Sequence, residues 1–157
     1  MQLVKLSINR RMYELMIEKN WTLLYLLRDV MDMTGTKCGC GTNDCGACKV
    51  LVDGEAKNSC CILARNMEGH EIITIEGIAN GNELHPIQKA FIDTGAVQCG
   101  FCTPGMIIST KALLDKNPNP TEREVRLALD SNLCRCTGYA RIVEAVLLAA
   151  KWMRGEE

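Results

Sequence analysis

Gly39-Cys40-Gly41-Thr42-Asn43-Asp44-Cys45-Gly46-Ala47-Cys48, followed by Cys60, is the stretch on which the fold turns. Its cysteines are spaced C-x4-C-x2-C-x11-C. Three thiols come from one loop, and the fourth closes the set from elsewhere in the chain. Gly39, Gly41 and Gly46 let that loop bend sharply and bring its backbone close to sulfur without side-chain collision.

The first three positions reproduce the spacing of plant-type [2Fe–2S] ferredoxins. Structural zinc is the competing reading. Zinc favours paired C-x2-4-C knuckles, and only one such pair stands here beside a longer loop. The spacing therefore favours a cluster held by Cys40, Cys45, Cys48 and Cys60. Backbone N–H groups of the glycines, donated to cluster sulfur, would tune its potential.

A second set lies further on. Gln98-Cys99-Gly100-Phe101-Cys102 supplies C-x2-C, and Cys134-Arg135-Cys136 supplies C-x-C. Each pair stands just before a predicted helix. Helix N-termini carry unsatisfied N–H groups and partial positive charge. Two of them turned on one anionic cluster would offset its charge without a lysine. A C-x-C pair is too tight for an ordinary zinc knuckle, although zinc is less excluded here than at the first set. Cys38 and Cys61 are left over. The cluster spacings close without them, and free cysteine is usually a small buried or half-buried thiol.

Ten cysteines in 157 residues admit a secreted disulfide framework or a metal protein. Met1 to Arg11 alternates like a strand and lacks the apolar core of a signal peptide. Ala145 to Ala150 is too short to span a bilayer. The expected compartment is the reducing cytoplasm, where clustered cysteines favour metal. A net charge of -1 gives no electrostatic reason to expect nucleic acid or a membrane surface.

The pattern around the cysteines is α+β, then α. Leu3 to Asn9 and Tyr13 to Ile17 alternate as a hairpin does. Asn9-Arg10-Arg11 is a poor tight-turn sequence. Thr22 caps a predicted helix with Leu23, Leu24, Leu27, Val30 and Met31 on one face. Strands are predicted over Lys49 to Val52 and Glu71 to Glu76, with Asp53-Gly54 as a turn. The second half shows no strand pattern. Pro86 opens a helix bearing Ile87, Ala90 and Phe91. Thr103 is read as the cap of a helix with Pro104 at its first position, presenting Met106, Ile107, Thr110, Leu113 and Leu114. Thr121 to Glu124 is a capping box before Val125, Ala128 and Leu129. A last helix from about Tyr139 carries Ile142, Val143, Val146, Leu147, Ala150 and Met153. Four helices with short links indicate a bundle. The boundary is expected near Ala79 to Glu83, giving units 1–79 and 80–157.

Four stretches together resemble the small iron–sulfur subunit of the molybdenum hydroxylases, the group of xanthine dehydrogenase, aldehyde oxidoreductase, carbon monoxide dehydrogenase and the N-heterocycle dehydrogenases. They are Gly35 to Gly41, Asp44 to Cys48, Gln98 to Gly105 and Asn132 to Tyr139. The resemblance runs from the first strand to about Trp152. It implies an N-terminal β-grasp, plant-type ferredoxin-like domain and a C-terminal four-helix-bundle [2Fe–2S] domain. It implies two partners, a molybdopterin-binding large subunit and an FAD-binding medium subunit, and allows a dimer of the whole complex. Electrons would run from molybdenum through the helical-domain cluster and the ferredoxin-type cluster to FAD. Cys136 and Gln98 match positions that lie against the pterin. Within the group the sequence is most similar to nicotinate dehydrogenase small subunits, which implies an aromatic N-heterocycle as substrate of the complex. Carbon monoxide, aldehyde or xanthine dehydrogenase subunits are alternatives, and a stand-alone ferredoxin is a further one. Asn43-Asp44 stands where many members carry glycine, and Cys61 where an aliphatic residue is common.

Other residues carry less. His85-Pro86 reads as a helix start rather than a metal ligand, and the eight methionines as adaptable core filling. Arg135 either offsets cluster charge, meets the cofactor subunit, or is a surface arginine. The chain itself shows no substrate site.

Overall fold

The computed structural model describes residues 1–156. The strands are β1 (Gln2–Ile8), β2 (Arg11–Ile17), β3 (Lys49–Val52), β4 (Glu55–Asn58) and β5 (Glu71–Ile73). Among the described residues they form one sheet in the order β2-β1-β5-β3-β4. β1 and β5 are parallel, and the other neighbours antiparallel.

The β1–β2 hairpin is tighter than its sequence suggests. Ile8 pairs with Arg11, so the loop is Asn9 and Arg10 alone, at φ 51 and 64. Asparagine tolerates that left-handed conformation and arginine does not favour it. Tertiary bonds hold the turn instead. Asn9 Nδ2 donates to Thr74 Oγ1 at 2.9 Å, and Thr74 N donates to Asn9 Oδ1 at 2.9 Å. The same contact ends β5 early. The strand expected to reach Glu76 stops at Ile73, and Ile75–Gly77 forms a 3-10 turn. Asp53 and Gly54, at φ 51 and 82, make the expected turn. β4 beyond it is half exposed, which is why its pattern is faint.

The first helix, α1 (Leu23–Tyr25), is capped by Thr22, whose Oγ1 accepts from Tyr25 N at 3.1 Å. It widens at once into a π-helical turn, Leu26–Val30, closed by Met31 N donating to Leu26 O at 3.0 Å. A π turn adds a residue per bond and rotates the side chains beyond it. Leu26 is therefore fully buried and Val30 is exposed, which corrects the expected apolar stripe.

The second half holds α2 (Pro86–Asp93), α3 (Thr103–Lys116), α4 (Glu122–Ala128) and α5 (Ala140–Met153). α2 opens with a capping box in which His85 Nδ1 accepts from Ile87 N and Gln88 Oε1 accepts from His85 N. His85 thus caps a helix, as its sequence context suggests. The cap of α3 is Cys102 rather than Thr103, with Thr103 and Pro104 inside the first turn. α4 carries the expected box between Thr121 and Glu124.

Two apolar cores share one strand. Val4, Leu6, Ile8, Leu23, Leu26, Leu27, Val50, Val52 and Ile72 form the first, between the sheet and α1. Leu51 joins the second with Ile87, Phe91, Met106, Ile108, Ile142 and Val146 of the helices. Alternate residues of a strand face opposite sides. Every residue of β3 is consequently buried, and Lys49 lies on the Leu51 side, toward α3. Met106 to Thr110 are likewise buried without a break, because α3 packs between β3 and the other helices.

Hydrogen bonds from Thr121 hold the Glu124 carboxyl below its ordinary value. Such a group contributes stability above the unfolded-state pKa and loses it as pH falls through the folded one. Acidification below about pH 4 is expected to lower the protection of the first-turn amides of α4 relative to their intrinsic exchange rates. Glu124→Gln, which retains the acceptor, should abolish that acid step, as hydrogen-exchange mass spectrometry would read.

Candidate metal centres

The first cysteine loop is built by backbone contacts. Thr42 N, Asp44 N and Cys45 N donate to Cys40 Sγ at 3.3, 3.4 and 3.4 Å. A Cβ on Gly39 would stand 2.7 Å from Cys45 Sγ. The loop therefore already curls around sulfur. Cys48 ends it, buried at the start of β3, and its thiol interacts with that of Cys60 from the following 3-10 turn. The Cys60 and Cys61 sulfurs are 3.7 Å apart. Cys38 and Cys61 are both exposed, contrary to the burial expected of spare thiols.

The thiols differ in their ease of ionisation. Hydrogen bonds from the Thr42 side chain and backbone, and from Cys45 N and Asp44 N, lower Cys40 to about 6. Burial pushes Cys48 up to about 11. Burial also pushes Cys102 up to about 12.

The second set is gathered by two helix starts. Cys102 caps α3, and Cys134 and Cys136 lie just before α5. Cys102 lies near Cys134 and Cys99, and Cys136 near Cys99 and Cys134, so the four thiols meet at one place. Tyr139 makes the second approach possible. It caps α5 at φ 70, and its hydroxyl accepts from Cys134 N at 3.0 Å. Thr137 donates to Cys134 Sγ through N at 3.4 Å and through Oγ1 at 3.1 Å. Burial opposes ionisation of Cys134, yet these Thr137 bonds and Cys136 N bring its thiol below the ordinary value. Gln98 and Cys136 are exposed, beside the exposed apolar side chains Val97, Phe101 and Leu133.

Both donor sets are all-thiol, and sulfur in each accepts from backbone N–H. That is the chemistry a [2Fe–2S] cluster asks of a protein. Among the described residues no three His, Cys, Asp or Glu side chains converge as ligands to one ion. Four thiolates shared over two irons need not converge that way.

The sets are stitched together by residues that sequence reasoning passed over. Leu133 N, next to Cys134, donates to Cys45 O at 2.9 Å. Lys49 Nζ donates to Ser109 Oγ, Ser131 Oγ and Asn132 Oδ1 at 2.9, 2.7 and 2.6 Å. A Cβ on Gly46 would stand 2.3 Å from Ser131 O, and one on Gly105 2.2 Å from Gly46 O. The available signal was a lysine at the head of an otherwise apolar strand.

In cluster-free protein, Cys40 should alkylate faster than Cys48 and Cys102 at pH 7, because only Cys40 is largely thiolate there. Mass spectrometry after short iodoacetamide pulses measures this, and equal rates would contradict it. Gly105→Ala should force the two loops apart at a cost of about 1–3 kcal/mol. Denaturant unfolding and iron content at both sites would register it.

Comparison with known proteins agrees with this geometry. A family model described as a 2Fe-2S iron-sulfur cluster binding domain matches residues 6–74. A second, a [2Fe-2S] binding domain, matches residues 74–147. The nicotinate dehydrogenase small FeS subunit of Eubacterium barkeri is 45% identical over 148 residues, 94% of each chain. Quinoline 2-oxidoreductase from Pseudomonas putida 86 has a chain that superposes with a TM-score of 0.92 at 40% identity, covering 99% of this chain and 98% of that one. Aldehyde oxidoreductase from Desulfovibrio desulfuricans superposes with a TM-score of 0.97 at 43% identity; all of this chain matches 18% of that one. With the α+β ferredoxin-like unit, the helical unit and both thiol sets in place, the chain belongs to the small [2Fe–2S] subunits of the molybdenum hydroxylases, and is the electron-transfer subunit of such an oxidoreductase.

Proposed function

We propose that Cys40, Cys45, Cys48 and Cys60 hold one cluster and Cys99, Cys102, Cys134 and Cys136 the other, in a complex that oxidises an aromatic N-heterocycle such as nicotinate. The gathering of Cys99, Cys102, Cys134 and Cys136 at the starts of α3 and α5 carries the reading, because one dinuclear centre takes four thiolates. When bound, the clusters supply one-electron transfer. The chain wraps them, donates N–H groups to their thiolates and brings the two sites against one another.

The exposure of Gln98, Cys136, Val97, Phe101 and Leu133, all close in sequence to the second set of cysteines, supports docking of a molybdopterin-binding partner at the second site. An FAD-binding partner is then expected to take electrons from the first. Two of the compared proteins are named for N-heterocycles, nicotinate and quinoline, which supports that substrate class. The division into 1–79 and 80–157 is supported by the tight Asn80–Glu83 turn; Glu157 lies outside the described residues. All ten cysteines are free, and among the described residues no helix is long and apolar enough to cross a membrane. Both observations are compatible with a reducing, cytoplasmic setting.

The test is the composition of the purified complex. Molybdenum, FAD and two distinct [2Fe–2S] signals, with nicotinate-dependent reduction, are expected. A stable iron–sulfur monomer without partners would favour a stand-alone carrier. Cys60→Ser should lose the first cluster, and Cys61→Ser should keep both. Iron and sulfide counts showing the reverse would move the ligand register by one residue.

A further inference from the structure

Lys49 is only 6% exposed, at the junction of the two cysteine loops. Its three N–H groups have three acceptors, Ser109, Ser131 and Asn132, so the ammonium is fully satisfied as a cation. None of the three is an anion. Among the described residues Lys49 makes no ion pair with a carboxylate. A buried cation without a counter-ion is costly. A nearby anion would offset that cost. Here each iron–sulfur site, with four thiolates, is one.

The placement concerns both sites. Lys49 follows Cys48 directly in the chain, and its side chain reaches Ser131 and Asn132, just ahead of Cys134. Asn132 further joins them, donating through Nδ2 to Gly46 O, while Ser109 Oγ donates to Asn132 Oδ1.

We propose that the Lys49 ammonium is a fixed counter-charge shared by the two clusters, favouring the reduced form of each. The inference rests on the ligand sets proposed above. Reduction adds one electron and one negative charge to a cluster. A buried positive charge nearby favours the reduced form in a low-dielectric interior, and its removal disfavours it. Lys49 is a positioning residue in this sense; it takes no part in bond making.

The test is a potentiometric titration of the whole complex, read by electron paramagnetic resonance, which follows each cluster separately. Iron and sulfide are counted first. A wild-type complex without two [2Fe–2S] signals would overturn the ligand assignment and this inference with it. In Lys49→Met both clusters should become harder to reduce, by about tenfold in the reduction equilibrium, or 59 mV for a one-electron couple. Ser109→Ala keeps the charge and removes one hydrogen bond, so it should lower thermal stability and leave both potentials in place. A fully loaded Lys49→Met complex with unshifted potentials would show the lysine to be structural only. If that variant fails to load iron, Asn132→Asp decides. It sets a carboxylate on the ammonium and cancels its charge, and unchanged potentials there would equally overturn the proposal.

Discussion

Three stretches of backbone meet where Gly46, Gly105 and the Ser131–Leu133 turn come together, and the rest of the molecule depends on their closeness. A side chain at Gly46 or Gly105 would fall within 2.3 Å of a facing carbonyl oxygen. Because none is present, Leu133 N reaches Cys45 O and the two cysteine loops become neighbours. The contact lies between a loop of the ferredoxin-like half and helix-flanking turns of the helical half. It joins the sheet-bearing half to the helical half, whose cores meet at β3.

β3 carries that junction into the interior. It is flanked by the sheet-side core through Val50 and Val52 and by the helical core through Leu51. A one-residue slip of β3 would turn Lys49 and Leu51 toward the sheet-side core and take the Lys49 ammonium from its three acceptors. Cys48 immediately precedes it, so one end of the first loop is held as firmly as the sheet itself. The first turn of α3 packs against the same region, which places Cys102 and therefore the second set. Rigidity at these positions suits electron transfer, which needs fixed separations rather than motion.

Much of this was legible from the residues. The caps at Thr22 and Thr121, the Asp53-Gly54 turn and the Pro86 helix start depend on neighbours within a few positions. Local signals of that kind survive in a sequence. The errors arose where distant residues decided. The Asn9-Arg10 turn is held by Thr74, sixty-five residues from Asn9. The π turn in α1 rotated Leu26 inward and Val30 outward, a register change that a regular 3.6-residue period cannot show. β4 has a partly exposed face on each side and so little apolar alternation to read.

The sequence by itself determined the chemistry, because ligand type and spacing are written in the order of the cysteines and glycines. Eight thiols in two patterns, and helices placed just behind the second, can be counted without coordinates. Only the tertiary structure decided how the sets face one another. It alone decided that Cys38 and Cys61 are exposed and that Lys49 sits between the loops. The meeting of the two loops rests on contacts across sixty to eighty-six positions of chain, from Lys49 to Ser109 and from Gly46 to Asn132. No local pattern encodes such a contact; it exists only once both cores have packed against β3.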